Sequence, residues 1–242
     1  MGIFDKLKAI FKPTPEQKAE RLLARISNMY SQTQDRQYYL HQTRELGGEL
    51  AAKNLIRRFT CTCENSTVDA DEKELTMQLL LSLGQDAVEP LKHHLFHNDK
   101  DFNWPYRTLA QIIDEAELIS FLIEILEEIG PEYVRDPERK EQIMLIAKSF
   151  DSEPLAKAIL PYLGDDNETI RFVAADSAIA HAYPFNIEAL SERLALEESQ
   201  RVIAHIADAF KTNGWTVSPC NREEITSRLP QAYKLRSNCS IA

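Results

Sequence analysis

Four aliphatic residues recur at a fixed interval: Leu91, Ile123, Leu155 and Ile187 stand 32 positions apart at each step. Arg107, Arg139 and Arg171 keep the same step, and Arg201 follows thirty residues on. A period of roughly 30–50 residues without a strand pattern is the signature of helical units stacked in series. Each unit of such an array hides its apolar face only against its neighbours. The array therefore exposes a long curved surface rather than one catalytic pit. The pattern predicts an all-α chain built to hold a partner, and no reaction is legible in it.

Composition agrees. Hydrophobic residues make up 43% of the 242, enough for a continuous core between helix layers, and there are only 7 glycines. No apolar run approaches the ~18 residues of a membrane span. The first twelve residues lack the apolar stretch and small-residue site of a secretory signal. A cytoplasmic protein is expected, with Cys61, Cys63, Cys220 and Cys239 as reduced thiols. The net charge of -10 is uneven: residues 1–58 carry 11 Lys/Arg against 6 Asp/Glu, and residues 59–242 carry 17 against 32. The acidic body disfavours nucleic acid, whose binding rests on phosphate neutralisation. The basic front end either meets an anionic partner or is a solvated helix face.

Along the chain, residues 1–15 read as a short amphipathic segment. Ile3, Phe4, Leu7, Ile10 and Phe11 share one helical face, and Pro13 and Pro15 end it. Such a segment over residues 1–12 can lie on a membrane surface, dock on the first repeat or simply fray. Residues 16–45 hold two N-terminal helices, over about 16–30 and 36–45. Residues 46–213 form the array, interrupted by a polar stretch at 60–70 expected to be an exposed, mobile loop, with Asp71 capping the next helix. From residue 83 the pattern is regular. First helices are expected at 86–96, 117–129, 154–163 and 186–196, and second helices at 104–113, 137–150, 168–180 and 199–210. Pro90 and Pro161 fall inside first helices and should bend them. Residues 214–242 supply a cap helix over 222–233 and a loose tail.

Leu83, Gly84, Ala87, Val88, Pro90 and Leu91 spell LG-x-x-A-V-x-P-L, and Arg171, Ala174 and Ala175 spell R-x-x-A-A after the acidic turn Asp165, Asp166, Asn167. At these residues the chain resembles the HEAT-repeat family, in particular the short bacterial repeats related to phycobilisome lyases. The third unit departs, with Glu141 and Gln142 in place of small residues. The resemblance covers residues 46–213 and implies an α-solenoid with a binding role; it specifies no ligand. Independently, Ala174, Ala175, Ala178 and Ala180 keep one helix thin enough for close approach. The arginine opening each second helix can bond the carbonyls of the turn before it or an aspartate of the next unit.

Candidate chemistry is sparse. His93 and His97 are four apart on one helix and could share a metal, but no third ligand is apparent and all three histidines of the cluster, His94 included, are expected at the surface or rim. Cys61 and Cys63 are spaced too closely for an ordinary zinc site. Cys239-Ser240-Ile241-Ala242 fits the outline of a prenylation signal only loosely. Gly2 lacks the serine or threonine at position 6 that myristoylation needs. No hydrolase, phosphate-loop, zincin or dinucleotide motif is present. Ten acidic residues between 114 and 141 make either a patch for a basic peptide or a solvated outer face.

The expectation is a right-handed α-solenoid of about five HEAT-like helix pairs, with an N-terminal helical extension and a C-terminal cap helix. It would be a non-enzymatic scaffold with no cofactor or metal, binding a protein or peptide on a concave face lined by Tyr106, Gln111, Asp114, Asp176, His181, His205 and Asp208. The alternatives are an enzyme-associated HEAT protein, of lyase-chaperone or nucleic-acid-repair type, and a peripheral membrane adaptor anchored by residues 1–12.

Overall fold

The computed structural model describes residues 13–98 and 101–242. Among them are thirteen α-helices and no strand beyond isolated bridges near the C-terminus, so the chain is all-α. No helix among the described residues is long and apolar enough to cross a membrane. The amphipathic helix expected over residues 1–12 lies outside the described residues. The chain divides into two compact units, Met1–Glu115 and Ala116–Ala242.

The first unit contains α1 (Pro15–Ile26), α2 (Thr33–Arg44), α3 (Gly48–Ile56), α4 (Ser66–Leu81), α5 (Val88–His97) and α6 (Asn103–Leu109). The start of α1 is written locally. Thr14 accepts the Gln17 N–H, the Gln17 side chain answers the Thr14 N–H, and Pro15 fills the first position, where a missing N–H costs nothing. Ala19, Leu22 and Ile26 form its buried stripe. The helices lie in two rows: α1, α3 and α5 touch in succession, as do α2, α4 and α6, and the rows are joined by the pairs α1–α2, α3–α4 and α5–α6.

The stretch at 60–70 departs from expectation. Only residues 61–65 are non-helical, because the Asn65 side chain accepts the N–H groups of Thr67 and Val68 and starts α4 there, six residues before Asp71. Cys63 and Asp69 are buried, and the Cys63 N–H donates to the Asp69 carboxylate at 3.0 Å. Behind them is an ionic core. Glu72, wholly buried, accepts from Arg58 Nε at 3.0 Å and from Arg36 Nη2 at 2.8 Å, and Arg58 Nη2 also reaches Asp69 at 2.8 Å. The remaining guanidinium donors meet the carbonyls of Cys61, Met29 and Ser31. Burying such charges is tolerable only because each is paired and further hydrogen-bonded. Burial drives the Asp69 carboxyl upward, but hydrogen bonds from Lys73, Arg58 and the Cys63 N–H overcome it and hold it at about 2.

The second unit runs through α7 (Glu115–Ile129), α8 (Glu138–Ala147), α9 (Glu153–Ile159), α10 (Glu168–His181), α11 (Pro184–Leu196), α12 (Gln200–Asn213) and α13 (Arg222–Arg228). Leu118, Phe121, Leu122, Ile125 and Leu126 give α7 its core face. Again there are two rows: α8 packs on α10 and α10 on α12, while the 3-10 turn Leu160–Gly164 after α9 packs on α11, and α11 on α13. Ala174, Ala175 and Ala178 are buried where α10 is flanked on both sides; Ala180, expected with them, is exposed. At the end of α12, Gly214 adopts a left-handed φ of 67° and closes the helix.

Three further expectations need correction. The 32-residue register does not mark equivalent environments: Leu91 and Leu155 are core residues, but Ile123 and Ile187 are only half-buried, since Leu122 and Leu190 take the fully buried positions in α7 and α11. Pro90 and Pro161 do not bend long helices. Pro90 sits in the first turn of α5, and Pro161 belongs to the 3-10 turn that replaces the end of the expected helix. The tail after residue 234 is not loose. It doubles back so that Leu235 pairs with Ile241 and Thr216 with Ser240, Val217 N–H donates to the Cys239 carbonyl at 2.9 Å, and Ile241 is buried. A helix does precede it, but α13 stops at Arg228, short of the 222–233 expected.

Candidate partner-binding face

Because α8, α10 and α12 stand side by side, residues four apart on each helix line up across the second unit. Lys148, at the end of α8, reaches Asp176 of α10 (Nζ to Oδ2, 2.5 Å). The other carboxylate oxygen of Asp176 lies 3.3 Å from His205 Nε2 on α12, a distance suited to an ion pair but without hydrogen-bond alignment. The His205 ring stacks on Phe172, one turn before Asp176, with centroids 4.4 Å apart. The Arg201 guanidinium covers the same Phe172 ring at 4.1 Å. At the other end His181 donates from Nε2 to the Lys148 carbonyl at 3.0 Å. Tyr183 donates to Asp151 at 2.7 Å, and that hydrogen bond raises the Tyr183 phenol.

Of the seven residues expected to line a partner surface, the structure brings Asp176, His181 and His205 together, with Lys148 as the link. Asp208 lies one turn beyond His205 on α12 and accepts from Tyr233 at 2.8 Å. The other three belong to the first unit. Tyr106 is half-buried and stacked on Phe102, and burial raises its phenol. Gln111 donates to the Arg107 carbonyl at 3.1 Å, and Asp114 is exposed. Lys148, Phe172, Arg201, Tyr183 and Tyr233 were not anticipated. Phe172 and Arg201 were detectable, each standing four residues before an expected face residue; Tyr233 was not, since only the folded tail carries it to α12.

The arginine series does not act as one ladder. Arg171 meets the carbonyls of Asp165 and Asp166, the role foreseen for the series, and also grips Glu197 with two parallel hydrogen bonds of 2.9 Å. Burial pushes the Glu197 carboxyl up, but Arg171, the Ser199 N–H and Arg193 outweigh it and hold it at about 2. Arg107 covers the Trp104 ring at 4.8 Å, while Arg139 is buried and its neighbour Lys140 pairs with buried Asp165 at 2.8 Å.

Chemically, the face offers alternating donors, acceptors and aromatic surface. His205 and Asp176 have the composition of a general-base couple, but Phe172 occupies the ring face of His205 and Lys148 holds the Asp176 carboxylate. Among the described residues no three His, Cys, Asp or Glu side chains converge as a metal site. His93 and His97 stack edge to face on each other at 4.4 Å, and His94, expected near the surface, is buried. No family model matches the chain, and no curated protein or solved structure matches it either.

Proposed function

We propose that the chain is a non-enzymatic helical-repeat adaptor of HEAT type, a right-handed α-solenoid whose second helices present a binding face to a protein or peptide. The observation that carries this reading is the row α8–α10–α12. Side chains from three helices form one continuous polar and aromatic strip, from Asp151 through His181, Lys148, Asp176 and His205 to Phe172 and Arg201. A strip made of side chains from successive helices can follow an extended peptide, and its aromatic and arginine members are the types enriched at interface hot spots. The net charge of the chain, -10, favours a basic segment over nucleic acid. The proposed face comprises Asp176, His181, His205 and Asp208 with their neighbours, and does not include Tyr106, Gln111 or Asp114.

Photo-crosslinking in the native host tests it. A crosslinker placed at Phe172 is expected to trap a defined protein that one at exposed Glu192 on α11 does not. The same capture should fall at least about tenfold when Asp176→Ala and His205→Ala are combined. Equal capture at both sites, or capture unaffected by the double substitution, would remove the face from consideration.

A further inference from the structure

Residues 1–12 lie outside the described residues, but their sequence is patterned. At helical spacing Ile3, Phe4, Leu7, Ile10 and Phe11 share one side, Lys6 and Lys8 stand at its two edges, and Asp5 falls opposite. Only Pro13 and Thr14 separate this segment from α1, so the two are joined by at most about 11 Å of chain.

A second feature lies on α1 itself. Lys18, Arg21 and Arg25, three and four residues apart, line one flank of the helix and are exposed. Among the described residues none of the three is paired with an acid. Glu16 and Glu20 lie on the opposite flank, across the buried stripe of Ala19, Leu22 and Ile26. The Arg25 guanidinium covers the Tyr39 ring at 5.6 Å, and Tyr39 meets Tyr38 edge to face at 5.3 Å. Tyr38 is 58% exposed, and Tyr30, just beyond α1, is 98% exposed. Asp35, one turn before Tyr38, is exposed as well. The cationic flank thus runs into exposed tyrosine, a residue that gathers where apolar and aqueous phases meet.

Charge decides which partner these features fit. Residues 1–58 hold 11 Lys/Arg against 6 Asp/Glu, whereas residues 59–242 hold 17 against 32. An anionic surface attracts the first stretch and repels the second. Nucleic acid would use the cations but leave five large apolar side chains in water. A lipid surface takes both. The apolar side sinks to the boundary between headgroups and acyl chains, while lysine stems at its edges keep their ammonium groups at the phosphates.

We propose that the chain binds an anionic phospholipid surface, with the apolar side of residues 1–12 inserted and Lys18, Arg21 and Arg25 of α1 set against the headgroups. Apolar insertion and a cationic patch are each weak alone, and the short connection through Pro13 and Thr14 lets them act together.

Co-sedimentation of the full chain with vesicles tests this. Phosphatidylcholine vesicles with about one-quarter phosphatidylserine should bind it at least about tenfold more tightly than phosphatidylcholine alone, and added salt should reduce the difference. Lys18→Gln, Arg21→Gln and Arg25→Gln combined should weaken binding at least about tenfold. Lys53→Gln, Lys157→Gln and Lys211→Gln remove the same charge from exposed positions elsewhere, and should change binding less than about twofold. Phe4→Ser with Phe11→Ser should also lose at least about tenfold, with the thermal midpoint unchanged. No binding to the anionic vesicles, equal binding to both lipids, or equal effects of the two cation sets would each overturn the proposal. A dimer in sedimentation equilibrium that the serine variant dissolves, without lipid binding, would overturn it in favour of a second copy covering the apolar side.

Discussion

Arg58 and Glu72 meet 3.0 Å apart with neither side chain exposed to solvent. The carboxylate is shared with Arg36, so two guanidinium groups, from α2 and from the 3-10 turn Arg57–Thr60 after α3, converge on a single acid in α4. Replacing Glu72 by alanine strands Arg36 and leaves Arg58 with Asp69 alone. We expect a loss of ~3–5 kcal/mol, measured by urea unfolding. Glu49→Ala, which breaks the exposed pair with Lys53, should cost less than ~1 kcal/mol. Similar losses for the two variants would contradict the buried network.

Acid should destabilise the protein in two stages. A carboxylate depressed by folding contributes stability that is complete above its ordinary pKa and disappears as pH falls through the folded value. Asp69 and Glu197 are both held at about 2, so their contribution drains away between pH ~5 and ~2. Fully buried Glu197 alone accounts for on the order of 2–3 kcal/mol. His94 adds an earlier stage. It stays neutral in the fold down to about pH 4, whereas the unfolded chain takes up its proton near pH ~6.5, so stability also falls across that interval. Thermal midpoints recorded from pH 7 to 2 should show both stages. Glu197→Gln should flatten the lower one, and an unchanged profile in that variant would refute the assignment.

The thinness of α10 is open to a packing test. Ala175 is wholly buried on a helix flanked by α8 and α12. Ala175→Leu should cost ~1–3 kcal/mol through overpacking, while Ala180→Leu, on the exposed side, should change stability by less than ~0.5 kcal/mol. Chemical denaturation of the pair reads the difference directly, and equal effects would place the helix contacts elsewhere.

The C-terminal tail should be part of the folded unit. Ile241 is 4% exposed, so Ile241→Ala is expected to lower stability by ~2 kcal/mol or more in a denaturant melt. Hydrogen exchange should find the Val217 and Ala242 amides protected in the parent chain, since both donate across the fold-back. A neutral substitution with unprotected amides would restore the loose tail expected from sequence.

Helix content, the boundaries near Asn167 and Gly214, and the apolar stripe of α7 are local properties. They follow from side-chain periodicity and from hydrogen bonds within a few residues, and for that reason they were legible in the chain. That Asp176, His181, His205 and Asp208 are helical positions, on α10 and α12, was legible for the same reason. The 32-residue step was a weaker guide: one residue of slip within a turn separates Leu122, which is buried, from Ile123, which is half-buried.

Contacts between distant residues were not legible. Arg36 and Glu72 are 36 positions apart, Arg171 and Glu197 are 26 apart, and Tyr233 reaches back 25 residues to Asp208. Nothing local distinguishes a charged residue that will be buried against a partner from one that stays in water. That distinction is made when helix rows close over the pair and remove the solvent. By itself the chain determined which segments are helical and which faces are greasy; only tertiary packing decided which charges left water, where residues 61–65 and the tail were pinned, and how His94 came to be buried.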